Sequence, residues 1–211
     1  MSNQRFVVTI SHQLGCGGAY IGQKIAEEFQ IPFVDRDILK RVADELHLAE
    51  ADLENRDERL SSVWEKLTEQ MYTAPAAGWV PQYHPSDKEL FYLESEYILK
   101  IAEKTSAVIL GRGGRYLLRD APRHVRIFVT AEMPERVERV AALFHISKDA
   151  AKTKIETNDQ QRIAFNRTFT KSDRLDVRLY DLAVNTSALG LDCAANLVLQ
   201  SVRAKLSLKE V

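Results

Sequence analysis

Gly15, Gly17 and Gly18 stand within four consecutive positions, between an apolar run, Phe6-Val7-Val8-Thr9-Ile10, and a helix-patterned segment carrying Ile21, Ile25 and Ala26. A glycine-rich turn at a strand-to-helix junction is built to hold an anion. Glycine lets backbone N–H groups approach without an intervening side chain. The first turn of the following helix adds unpaired N–H groups and the positive end of its dipole. Gly15, Cys16, Gly17, Gly18 and Ala19 therefore form a candidate phosphate-binding segment that works through the main chain. The bland alternative is a left-handed turn with no ligand, but packing rarely asks for so many glycines at one turn.

The spacing fits no single motif. In the phosphate-loop pattern Gly-x-x-x-x-Gly-Lys-Ser/Thr, with Gly17 as second glycine, His12 takes the place of the first glycine. Gly18 replaces the lysine, and Ala19 replaces the hydroxyl that would bind Mg²⁺. In the dinucleotide pattern Gly-x-Gly-x-x-Gly, Gly15 and Gly17 fit but Tyr20 stands at the third glycine. Asp35 supplies the acidic residue that this pattern expects about 20 positions on. The loop alone thus leaves phosphoryl transfer and hydride transfer both open.

Arginine is suited to phosphate because its fork is planar and permanently charged. Arginines gather at Arg112 and Arg115, at Arg136 and Arg139, and at Arg162, Arg167, Arg174 and Arg178. Arg112 is the strongest candidate, since Gly111-Arg112-Gly113-Gly114 directly follows an apolar run. Arg119, Arg123, Arg174 and Arg203 read as solvated surface residues. Asp159 and Arg162 share a helix face at i, i+3, either as a surface ion pair or as part of an arginine-bearing lid. Asp35, at the end of a short apolar segment, is the candidate for Mg²⁺ or its water, or else a helix N-cap. His12 is read as bonding the loop backbone rather than titrating against a ligand. Cys16 is read as a small loop residue rather than an activated thiol.

These groups need a scaffold, and the periodicity supplies one. Apolar runs near 6–10, 31–35, 107–110, 124–130 and 180–186 alternate with helical patterns, which predicts a parallel sheet with helices on both faces. The charged clusters 35–37, 111–115 and 130–136 then fall at the carboxyl ends of strands, where such sheets bind ligands. Residues 38–71 read as helical and 72–85, with Pro75, Pro81 and Pro85, as a loop. Ser86-Asp87-Lys88-Glu89 is a capping box opening a further helix, and Ser147 caps another.

The bulk numbers exclude several classes. At 211 residues with a net charge of −1, the chain suits one domain with an insertion and has no basic field for nucleic acid. No apolar run approaches a membrane span. Cys16 and Cys193 lie far apart, without metal-ligand spacing, and are expected to be reduced thiols in a cytoplasmic protein. No secretory leader pattern opens the sequence. A homodimer is left open.

The ordered set ISHQLGCGGAYIG, PFVDRDIL, VILGRGGRYLL, RIFVTAEMPERVERV, DQQR and YDLAVNTSALGLD resembles the cytidylate kinase-like family, a branch of the P-loop nucleoside monophosphate kinases. The resemblance covers nearly the whole chain and is weakest over 50–90. It implies a three-layer α/β/α fold with a five-stranded parallel sheet in order 2-3-1-4-5. It also implies a helical insertion for the monophosphate over 36–97 and a lid-like segment over 158–179, all within a single kinase-like domain spanning 1–211. The implied reaction moves the ATP γ-phosphoryl group to CMP or a similar small phosphorylated acceptor, with Mg²⁺.

Carried over by position, Gly15 to Ala19 match the loop and Asp35 the acidic strand end near the acceptor. Arg112 matches the arginine after the third strand, Arg136 the one in the helix after the fourth, and Asp159 with Arg162 the lid motif. Arg112 and Arg136 would clamp the acceptor phosphate. Arg162, with Arg167, would close over the transferring group. The family's kinase-like branch often reads Gly-Ser-Gly-Gly-Arg-Glu, where this chain has Ala19 and Tyr20 at the last two positions. That departure keeps a second expectation alive: a nucleotide-binding protein with impaired catalysis. An NAD(P)-dependent oxidoreductase is the third.

Overall fold

The computed structural model describes residues 5–35 and 87–207. The expected helix over 38–71, the loop over 72–85 and most of the 36–97 insertion lie outside the described residues. Five strands form one all-parallel sheet in the order β2-β3-β1-β4-β5. They are β1 (Val7–His12), β2 (Phe33–Val34), β3 (Ala107–Leu110), β4 (His124–Thr130) and β5 (Leu182–Asn185).

The helices are α1 (Gly18–Phe29), α2 (Asp87–Lys104), α3 (Gly114–Leu117), α4 (Met133–Phe144), α5 (Lys148–Thr170), α6 (Thr186–Leu189) and α7 (Leu191–Ser207). Alternation along β1 explains the layers. Val8 and Ile10 face one core with Ile21 and Ile25 of α1 and Val198 and Val202 of α7. Val7 faces the other, with Tyr97, Ile98 and Ile101 of α2. A strand buried on both faces has to read as a continuous apolar run. A third, smaller cluster joins α4 to α5 through Val140, Ala151 and Ile155, with Leu14 packed against it.

Strand ends differ from the sequence expectation in β1, β2 and β5, the second strand shrinking from 31–35 to Phe33–Val34. β1 runs on to His12, which pairs with Val129 as the last strand residue rather than lying within the loop. The fifth strand begins at Leu182, because Val177–Leu179 forms a 3₁₀ turn held by the Asp176 side chain, which accepts from the Arg178 N–H. Ser147 caps α5 as expected, its hydroxyl accepting from the Ala150 N–H at 3.2 Å.

Candidate phosphate-binding site

The loop between β1 and α1 sits at the carboxyl edge of the sheet and is shaped by its glycines. Gly15 has φ 81°, and a Cβ there would lie 2.8 Å from the Arg136 carbonyl oxygen and 2.9 Å from a Val140 methyl. No other residue type fits that conformation and that space. α1 then starts at Gly18 with no side-chain cap, so its first N–H groups are left to a ligand or water. Cys16 is fully buried, its thiol donating to the Val129 carbonyl at 3.2 Å. Burial pushes that thiol's pKa up, so Cys16 contributes backbone only.

The lysine position of the loop is closed. A Cβ on Gly18 would stand 2.6 Å from Cβ and 2.9 Å from Cγ of His12. The two departures from the phosphate-loop pattern are thus one feature, with the imidazole of His12 covering the place where a side chain at 18 would start. Burial, followed by the charges of Arg162 and Arg174, pushes the His12 pKa well below its ordinary value. His12 is therefore neutral near pH 7 and brings no charge of its own.

Positive charge comes instead from arginines of α4, of α5 and of the segment after α5, bonded to carbonyl oxygens of the loop and of His12 just before it. Arg136 Nε donates to Leu14 O at 2.8 Å, and Arg139 Nη1 to Gly15 O at 3.3 Å. Arg162 Nη1 and Arg174 Nη2 both donate to His12 O, the latter at 2.6 Å. Thr186 completes the set, its hydroxyl donating to Cys16 O at 2.8 Å and accepting from Arg139 at 3.0 Å. Asp159 is the carboxylate of this cluster and pairs with Arg136 at 2.6 Å. Arg136 is 3% exposed and spends Nε and Nη2 on the loop and on Asp159.

Arg112 occupies a strained turn. It has φ 52°, flanked by Gly111 at 76° and Gly113 at 68°. The other non-glycine residues with positive φ among the described ones, Gln30, His145 and Lys171, are helix C-caps. Such strain persists where surrounding contacts fix it. Here Arg112 Nη2 meets Glu94 Oε1 of α2 at 2.5 Å, and Glu94 is 1% exposed. Above this turn, Phe91 of α2 stacks with Phe165 and Phe169 of α5 at 5.3 and 4.3 Å between ring centres. Helix α2 and the C-terminal half of α5 therefore meet beside the Arg112 turn.

Asp35 follows β2, and β3 lies between β2 and β1. Two strand spacings, about 10 Å, separate it from the glycine loop's strand. The immediate neighbour of β2 is β3, the strand that leads into the Arg112 turn. Arg167 is exposed and makes no ion pair among the described residues. Sequence reasoning missed Glu94, although Phe91, Glu94, Ile98 and Ile101 trace one helical stripe in which a carboxylate is out of place. It also placed Arg174 and Arg123 on the surface, whereas they are 5% and 9% exposed.

Topology separates the two phosphate motifs. A dinucleotide fold sets β2 beside β1, so that its acidic residue reaches the ribose near the glycine loop. Here β3 takes that place, and the Tyr20 hydroxyl is tied to Asp192 at the start of α7. The model of the cytidylate kinase-like family matches residues 7–188. The chain belongs to the cytidylate kinase-like family. Within that family fold, α2 brings Glu94 and Phe91 to the Arg112 turn, and α5 brings Arg162 to His12 at the start of the glycine loop.

Solved structures agree on the fold. An uncharacterized protein from Eubacterium ventriosum is 19% identical with a TM-score of 0.71, the match covering 95% of this chain and 99% of that one. A gluconokinase from Sinorhizobium meliloti is 16% identical with a TM-score of 0.53, covering 99% and 100%. A shikimate kinase from Acinetobacter baumannii, in complex with shikimate, is 12% identical with a TM-score of 0.51, covering 99% and 97%. No curated protein matches the chain. Among the described residues no helix is long and apolar enough to cross a membrane.

Proposed function

We propose that this member of the cytidylate kinase-like family is a phosphotransferase that moves the γ-phosphoryl group of ATP to a nucleoside monophosphate, CMP or a close relative. One observation carries the reading: a glycine loop at a helix N-terminus, ringed by Arg136, Arg139, Arg162 and Arg174 with Asp159 as the carboxylate among them. Phosphoryl transfer needs positioning and charge stabilisation more than covalent chemistry. The loop amides of Gly15 to Ala19 would hold the donor phosphates. Arg112, braced by Glu94, would hold the acceptor phosphate. Arg162 would reach the transferring group, with exposed Arg167 free to swing in from the same helix. Arg136, buried and paired, supports the loop rather than the acceptor. Residues 158–179 would act as the lid and the 36–97 insertion as the acceptor wall, within one kinase-like domain.

Mg²⁺ fits this donor set as a metal that arrives with the nucleotide. No group of three or more His, Cys, Asp or Glu suited to a metal occurs among the described residues. Mg²⁺ in kinases is held largely by phosphate oxygens and water with one or two carboxylates. Asp35 would be the carboxylate that helps to hold it, and the ion would neutralise charge on the phosphate oxygens.

A coupled ADP-release assay with ATP, Mg²⁺ and a panel of nucleoside monophosphates tests the reading. Turnover with a pyrimidine monophosphate is the expected result. The closed lysine position and Ala19 favour one rival, a nucleotide-binding protein without catalysis. That rival requires ATP to raise the melting temperature while no acceptor releases ADP.

A further inference from the structure

We propose that Arg174, acting with Arg162, binds the polyphosphate of the donor and supplies the positive charge that the glycine loop lacks at Gly18. The assignment rests on the phosphotransferase reading above and adds a residue to it. The sequence offered no reason to choose Arg174. It lies in the polar segment after α5, between Lys171 and Tyr180, where no period is visible.

Four observations converge on it. Arg174 is 5% exposed, and its guanidinium donates to a neutral carbonyl, His12 O. No carboxylate pairs with it among the described residues. Burying a guanidinium with no direct ion pair is costly, and burial pushes its pKa below the ordinary arginine value despite the nearby charge of Asp159. Proteins keep such a group where an anion arrives to pair with it.

The position is also right. His12 is the last residue of β1, directly before the loop, and its carbonyl receives both Arg162 and Arg174. Two guanidinium groups converging on one oxygen repel each other, and a phosphate between them would remove that repulsion. The Asp159 carboxylate is taken by Arg136 at 2.6 Å, while Arg174 meets the His12 carbonyl.

The arm is held ready. The Tyr180 hydroxyl donates to the Arg174 carbonyl at 2.7 Å, and the Tyr180 ring stacks on Phe128 of β4 at 5.1 Å. Arg174 is thereby fixed to the sheet rather than to a mobile surface. A side chain at 18 is blocked by His12, so the charge comes from Arg162 and Arg174, which reach the backbone at His12. The ligand class is a linear polyphosphate, bound through donors on both the loop backbone and the guanidinium pair.

The test uses the full chain in titration calorimetry, with MgATP, Mg-tripolyphosphate and CMP as separate probes, on the wild type, Arg174→Gln and Arg174→Lys. The melting temperature of each ligand-free protein is recorded alongside. Arg174→Gln is expected to weaken MgATP and Mg-tripolyphosphate alike, by about 10- to 100-fold, the scale of a lost charge-assisted hydrogen bond. CMP affinity stays unchanged, the ligand-free melting temperature stays level or rises, and Arg174→Lys recovers part of the loss. Undiminished MgATP affinity in Arg174→Gln overturns the assignment while leaving the kinase reading intact. A fall in ligand-free melting temperature with no rescue by lysine makes Arg174 a structural strap and also overturns it. A wild type that binds neither polyphosphate overturns both readings.

Discussion

His12 and Gly18 pack as a reciprocal pair: any Cβ at 18 would meet the His12 Cβ at 2.6 Å, and His12 stands where phosphate loops usually place their first glycine. Restoring the lysine alone should therefore fail. Gly18→Lys is expected to destabilise the fold by about 1–3 kcal/mol through overpacking. Adding His12→Gly should relieve it, so that the double variant is more stable than the sum of the two singles predicts, by at least about 1 kcal/mol. Urea denaturation of the four proteins in the cycle measures this, and strict additivity would refute the pairing.

The buried contact between Arg112 and Glu94 gives a second prediction. Removing one member of a buried ion pair typically costs about 3–5 kcal/mol. Glu94→Ala should approach that loss, while Glu94→Gln, which keeps a hydrogen-bond acceptor, should lose less. Both should lower phosphotransfer by around 100-fold, since the guanidinium is no longer held in place. Arg112→Ala should abolish transfer. Chemical denaturation and ADP release across several acceptors check the two effects separately, and wild-type turnover in Arg112→Ala would remove Arg112 from the site.

Stability should depend on pH through His124. It is 5% exposed, its Nε2 lies 2.7 Å from the Thr9 hydroxyl, and burial, then the Arg126 charge, lowers its pKa to about 4. Its ordinary value is 6.5. Between these values the unfolded chain takes up a proton that the native state refuses, so stability falls as pH falls. The contribution is fully present above pH 6.5 and fades toward pH 4, by up to about 3 kcal/mol at 1.36 kcal/mol per unit. The depressed pKa of His12 acts in the same direction. Urea midpoints from pH 7.5 to 4.5 should show the decline, and His124→Gln should flatten it. An unchanged slope in that variant would assign the effect elsewhere.

The local pattern of the chain was enough to place the elements. Strands buried on both faces must be unbroken apolar runs, and helices must repeat their apolar positions every three to four residues. Val7 to Ile10, Ala107 to Leu110 and His124 to Thr130 show the first rule, and Val137, Val140 and Ala141 the second. The glycine loop was equally visible, because a positive φ at Gly15 and Gly17 leaves few alternatives to glycine. Other facts needed the tertiary structure, because they depend on which strands and helices become neighbours. Only the sheet order puts β3 between β2 and β1 and so removes the dinucleotide geometry. Only packing shows that His12 excludes a side chain at 18, and that Glu94 is buried against Arg112. Arg174 looks like any solvated arginine in the sequence. Its burial against His12 arises from the path of the chain after α5, where no local periodicity constrains the residues and long-range contacts alone fix their positions.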